Sequence, residues 1–217
     1  MEVIDIKSDR QKKVFIRFVY NVYRNDKCYK DTLIGTLKTF LYRSDSFTEQ
    51  AYVRPVAVEN DNAIVALCIY IYDPKLPVLQ IGFFEALPEQ DEAVTLLLDE
   101  AKTECGRHGL CKIVAGLNGH LSYGVGFLSD NYDTPVPFDS LYNKDYYITY
   151  FERYGLARRT LTEYAFEMSN MKFSEDIIKQ VSANFEFRFL NMENFKDDML
   201  LFGELCNETL KDTYLYF

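Results

Sequence analysis

The stretch "VLQIGFFEALPEQDEAVTLLLDEAKTECGRHGLCKIVAG", residues 78 to 116, decides the fold. Val78 to Leu87 is an apolar run rich in branched and aromatic residues, which predicts a strand. Pro88 ends it, and Val94, Leu97, Leu98, Ala101 and Cys105 then recur at helical spacing until "GRHG" stops the helix. "CKIVAG", Cys111 to Gly116, resumes as a strand. A strand, a helix and a strand in this order predict a right-handed crossover unit whose two strands run parallel.

Upstream lie two more strand candidates, "YVRPVAVE" (Tyr52 to Glu59) and "AIVALCIYIY" (Ala63 to Tyr72). "NDN" and "DPKLP" mark the turns, so the three strands form an antiparallel meander. The nearly continuous apolar character of the second predicts burial on both faces. Before the meander, Val3 to Ile6 reads as a short strand and Ser8 caps a helix carrying Val14, Phe15, Phe18, Val19 and Val22. A second helix presents Leu33, Leu37, Phe40 and Leu41.

Downstream, "GLNGHLSYGVGFLSDNYDTPVPF" (116 to 138) is a long connection, followed by a helix at "NKDYYITYFERYG" and a strand at Thr160 to Met168. The order β-α-α-β-β-β-α-β-α-β predicts an α/β (α+β) fold, a mixed and mostly antiparallel sheet flanked by helices. The expected organisation is one domain over 1–168 and a linker helix over 169–184. A strand-helix start of a second, incomplete domain follows over 185–217. "EVIDIKSDRQKKVFIRFVYNVY" and "FEFRFLNMENFKDDMLLFGELC" echo each other in strand, turn and amphipathic helix.

Composition removes several function classes. With 24 basic against 33 acidic residues, a net charge of -9, the chain lacks the cationic footprint for a phosphate backbone, so nucleic acid is not an expected partner. The longest apolar run, Ala63 to Tyr72, is about half a bilayer crossing, and "MEVIDIKSDR" is no secretory signal. No membrane association and a cytoplasmic location are expected. Five scattered cysteines argue against a disulfide framework, with Cys68 as core packing. With His108 and His120 as the two histidines, no histidine-based metal site and no metal are expected.

The element order resembles the GNAT superfamily of N-acetyltransferases. "GFFEALPEQDEAVTLLLDEA", "GLNGHLSYGVGFLSDNYDTPVPF", "YNKDYYITYFERYGL" and "FRFLNMENF" resemble a bacterial subgroup of it in which two such domains often stand in tandem. The resemblance spans residues 50 to 217 by motif and the first fifty by topology. It implies that the fourth strand offers its backbone to the pantetheine arm of acetyl-CoA, and that the following turn and helix N-terminus take the pyrophosphate, where free N–H groups and the helix dipole favour negative charge. The implied cofactor-binding residues are Phe83, Phe84, Ala86 and Leu87 on the strand, Glu89 and Gln90 in the turn, and Asn118 in the loop.

The implied chemistry is direct transfer of an acetyl group to an amine. Glu85 and His120 are the candidate bases, and Tyr150 is the candidate acid among the tyrosines of its helix. Two positions depart from the family pattern. The pyrophosphate turn usually reads Q/R-x-x-G-x-G/A, whereas "LPEQDEAV" has no glycine and several acids. The family's acid tyrosine in "Y-E-x-x-G-F" is matched by Phe151 in "FERYGL", and a phenyl ring donates no proton. The alternative is therefore a non-catalytic GNAT-like module binding a small ligand or a protein. A homo-oligomer or a missing second domain is the further expectation for residues 185 to 217.

The long loop follows the fifth strand, where a GNAT sheet opens. Asn118, His120, Ser122 and Tyr123 are its candidates for facing the cleft. Asn118 and Ser122 equally suit the satisfaction of turn backbone, and Gly124 and Gly126 suit tight reversals. Ser122 and His120 do not form a nucleophile and base pair by spacing.

Overall fold

The computed structural model describes every residue except 138, 139, 163, 165, 166, 168, 170, 171, 173, 186, 187 and 217. The chain divides into two compact units, residues 1–158 with 215–217, and residues 159–214.

The first unit is built on one sheet of five strands in the order β1-β2-β3-β4-β5, with β1 Glu2–Asp5, β2 Tyr52–Asn60, β3 Ala63–Asp73, β4 Leu76–Ala86 and β5 Ile113–Ala115. The first four are antiparallel to their neighbours, and β5 runs parallel to β4. The helices are α1 Asp9–Val22, α2 Ile34–Tyr42, α3 Ser46–Gln50, α4 Asp91–Arg107 and α5 Tyr147–Tyr154. Meander, crossover pair and flanking helices agree with the sequence reading. Helix α3 does not figure in it: Asp45 caps this helix reciprocally with Thr48, in a stretch too short to carry a periodic signal.

Why β3 is apolar throughout is clear from its two faces. Leu67, Ile69 and Ile71 pack with Phe15, Phe18, Val19, Leu37 and Phe40 of α1 and α2. Ala66, Cys68 and Tyr70 pack with Val94, Leu97, Leu98 and Ala101 of α4. Alternate side chains of a strand face opposite ways, so a strand covered on both sides has no polar face. Burial pushes the Cys68 thiol up, as suits its core position.

Two irregularities of β4 shape its far end. Ile69 pairs with Gly82 but Leu67 pairs with Glu85, so β4 carries one extra residue there, and Phe83 takes a left-handed φ of 48°. Gly82 is needed because a Cβ would lie 2.8 Å from the Leu117 carbonyl oxygen. On the other edge, β5 pairs only with Leu79, Gln80 and Ile81, and the ladder closes with the Gly116 N–H on the Ile81 oxygen at 3.1 Å. Beyond that point β4 runs on from Gly82 to Ala86 with β5 no longer beside it.

The second unit holds α6 Glu175–Asn184, capped by Ser174, and α7 Phe195–Leu210, whose Asp198 takes a two-pronged grip from Arg188 at 2.6 and 2.7 Å. The expected strand at 160–168 includes residues 163, 165, 166 and 168, outside the described set, and Thr160, Leu161, Thr162, Tyr164 and Glu167 are not in a strand. The expected strand at 185–190 includes residues 186 and 187, also outside the described set, and Arg188 to Leu190 are not in a strand.

Candidate functional site

Where β4 loses its neighbour, a cleft of about 690 Å³, counted to its open mouth, is enclosed by α1, α2, the end of β4 and the two halves of the long loop. Its walls are mostly apolar and aromatic, among them Leu33, Leu37, Phe84, Phe127 and Tyr142, with Lys30, Thr32, Asn118, Ser140 and Asn143 as polar members. Glu85 is the acid on its lining.

Glu85 is held from two sides. The Tyr147 hydroxyl donates to its Oε2 at 2.6 Å, and the Tyr23 hydroxyl donates to Oε1 at 3.2 Å. Desolvation by the surrounding protein dominates, and pushes the carboxyl up to about 8 against the pull of these two hydroxyls and of Lys144. Tyr23 in turn stacks on Tyr29 with centroids 4.0 Å apart, and the Lys144 ammonium lies 5.0 Å above the Tyr23 ring while pairing with Asp26 at 2.7 Å. The floor is thus a carboxyl set among phenols.

The long loop is a fixed wall. Asn118, 3 % exposed, accepts the Phe83 N–H at 2.8 Å and donates to the Tyr123 carbonyl at 3.2 Å. Gln80 exchanges two hydrogen bonds with Gly119, at 2.8 and 3.1 Å. Buried Asn143 accepts the Leu128 N–H at 2.6 Å, and the Tyr142 hydroxyl reaches Asp26 and the Tyr132 carbonyl. The half-polar sequence of the loop is therefore spent on tying it to β4 and to the turn after α1.

Of the residues singled out from the sequence, Glu85, Phe83, Phe84 and Asn118 line the cleft together. His120 is not among its lining residues; its Nδ1 accepts the Ser122 N–H at 3.1 Å and caps the short 3-10 turn Leu121–Tyr123. Ser122 accordingly serves that turn. Tyr150 sits against the strand end, where its hydroxyl donates to the Leu87 carbonyl at 2.8 Å and accepts the Gln90 N–H at 2.9 Å. Phe151 is core, packed on Phe84 and Phe127 at centroid distances of 4.8 and 5.0 Å. Sequence reasoning missed Tyr23, Tyr29 and Tyr142, which come from segments far from Glu85 in the chain and carry no spacing signal.

The end of β4 does not fit the pantetheine arm of acetyl-CoA, because its backbone groups are already taken. The Ala86 N–H is taken by the Tyr147 hydroxyl at 3.0 Å, and the Ala86 carbonyl by that of Tyr146 at 2.9 Å. The Leu87 N–H is bonded to the Val65 carbonyl at 2.9 Å, and Pro88 has none to offer. Asp91 and Glu92 occupy the first turn of α4, and Asp91 is paired with Arg153 at 2.7 Å. The Gln90 Oε1 is buried without a hydrogen-bond partner among the described residues, and a second acceptor cannot satisfy it. Ala86, Leu87 and Gln90 thus spend their backbone groups within the chain.

Among the described residues, no group of three or more His, Cys, Asp and Glu converges as a metal site, and no helix is long and apolar enough to cross a membrane. No family model and no curated protein matches the sequence. Solved structures to which this chain shows similarity include an aminoglycoside 6'-N-acetyltransferase from Acinetobacter haemolyticus, at 12 % identity and TM-score 0.45, covering 77 % of this chain and 99 % of that one. A protein described as a probable acetyltransferase has the same identity and TM-score, over 79 % of this chain and 100 % of that one. A Staphylococcus aureus protein assigned provisionally to the GNAT family follows at 14 % and 0.32, over 52 % of this chain and 98 % of that one.

Proposed function

We propose that the chain is a GNAT-like ligand-binding module, whose cleft takes a small amine with its nitrogen on Glu85. The observation that supports this is the Glu85 carboxyl, aimed into an aromatic-walled cleft between two hydroxyl donors. A carboxylate retains acceptor sites after two hydrogen bonds, and aromatic faces favour a cation beside it. Tyr23 already carries one such cation, the Lys144 ammonium.

Because Glu85 holds its proton up to about pH 8, a bound ammonium has to displace that proton. Affinity then rises by up to about tenfold per pH unit between roughly pH 6 and 8. Calorimetric titration with diamines, polyamines and amino sugars tests this. The Glu85→Gln variant should bind at least about tenfold more weakly, on the scale of a lost charge-assisted hydrogen bond. Equal binding by wild type and variant would refute the placement of the nitrogen.

The second reading, an N-acyltransferase acting on that amine, is favoured by one observation: a carboxyl near neutrality is suited to general-base work. Its donor seat is the part that lacks support. Thiol release from acetyl-CoA in the presence of an amine, lost in Glu85→Gln, would establish turnover. In either reading a cytoplasmic location and a second domain beginning near residue 185 remain part of the proposal.

A further inference from the structure

The tyrosines of α5 form a second pattern, which shares Tyr147 with the Glu85 site. Tyr146, Tyr147 and Tyr150 share one side of a helix of eight residues and its cap, and their hydroxyls meet successive backbone groups of the strand end. The Tyr146 hydroxyl donates to the Ala86 carbonyl, Tyr147 accepts the Ala86 N–H, and Tyr150 bridges the Leu87 carbonyl and the Gln90 N–H. Tyr147 and Tyr150 are buried, and their rings pack on Tyr146 at 5.2 and 5.7 Å.

An exposed strand end is a template for an extended ligand, because its N–H and C=O groups need partners. Here those partners are supplied from within. A ligand seeking the same groups has to break hydrogen bonds that are already made and buried, and to displace aromatic rings from a packed layer. Glu92 and the unpaired Gln90 acceptor add repulsion to any phosphate placed at the start of α4, whereas Asp91 is paired with Arg153 at 2.7 Å.

We infer that α5 is the built-in occupant of the groove beside β4, latching it shut with three tyrosine hydroxyls, so that this unit binds its cleft ligand without an acyl-CoA partner.

The test uses the full chain, titrated calorimetrically with acetyl-CoA and separately with CoA. No saturable heat up to about 1 mM is expected, the regime of negligible affinity. Any saturable one-to-one binding tighter than that overturns the latch. Amide hydrogen exchange provides the second reading: Gln90 should exchange at least about tenfold faster in Tyr150→Phe, because its acceptor is gone. Unchanged exchange in that variant, or slower exchange at Ala86 and Gln90 on adding acetyl-CoA to the wild type, would overturn the inference. Should Tyr150→Phe fail to fold, Tyr146→Phe removes a single donor to Ala86, and the wild-type titration stands by itself. Amine binding is measured without acetyl-CoA, so failure of one proposal leaves the other intact.

Discussion

Replacing Glu85 with Gln should stabilise the protein at alkaline pH. In the unfolded chain this carboxyl titrates near 4.5, and in the folded protein at about 8. Between those values the folded state holds a proton that the unfolded state has released, so stability falls as pH rises through the window. At about 1.4 kcal/mol per pH unit, the accumulated loss reaches roughly 4 kcal/mol by pH 8. Glutamine keeps the shape and the acceptor oxygen but cannot ionise. Urea denaturation of wild type and variant, followed by circular dichroism from pH 5 to 9, reads the difference directly. Wild-type stability should decline across this range relative to the variant, whose profile lacks the Glu85 contribution. The variant should then unfold roughly 8 to 16 °C higher at pH 8, on the usual scale of 2 to 4 °C per kcal/mol for this size. If the two proteins keep a constant difference from pH 5 to 9, Glu85 is not the desolvated carboxyl that its surroundings describe.

Arg54 joins Asp5, Glu100 and Glu104 at 2.8, 2.6 and 2.7 Å, and Glu104 is 4 % exposed, so Arg54→Ala should cost about 2 kcal/mol in denaturation at pH 7. Arg107 and Tyr52 still serve Glu104, which keeps the loss moderate. Asp5 and Glu104 are both held below the ordinary carboxylate range against the desolvation that opposes it, so their contribution is present above pH 4.5 and lost as pH falls through their folded values; the Arg54→Ala difference should shrink there. Asn118→Ala strands the Phe83 N–H and should cost about 2 kcal/mol, while weakening ligand binding by loosening the cleft wall. Gly119→Ala meets a φ of 95° and a Cβ 2.4 Å from the Phe40 ring, and should lower the melting temperature by several degrees, about 2 kcal/mol or more. A neutral outcome at Gly119 would mean that the loop is not seated on Phe40.

The meander and the helix that follows it could be read from the sequence almost residue by residue. Val94, Leu97, Leu98 and Ala101 fall on the buried face, and β3 is buried on both faces, because periodicity reports one-sided or two-sided covering directly. Fifth strand β5 is shorter than "CKIVAG" suggests, since Cys111 and Lys112 precede the described ladder and pairing ends where the sheet opens. At the site, Glu85 and Asn118 were reachable through the strand and loop they sit on. His120 and Tyr150 were plausible by residue type alone, and their hydrogen bonds go to a turn and to a strand end.

By itself, the sequence determined which segments alternate, which faces turn inward, and that the turn after the fourth strand holds no glycine. These are local properties, legible because backbone sterics and burial act over a few residues at a time. The raised carboxyl of Glu85 was decided only by the tertiary structure, which gathers Tyr23 from α1 and Tyr147 from α5 around an acid 62 residues from each. So was the closing of the strand end by α5. Desolvation and hydroxyl geometry depend on what surrounds a group in space, and no spacing along the chain encodes that neighbourhood.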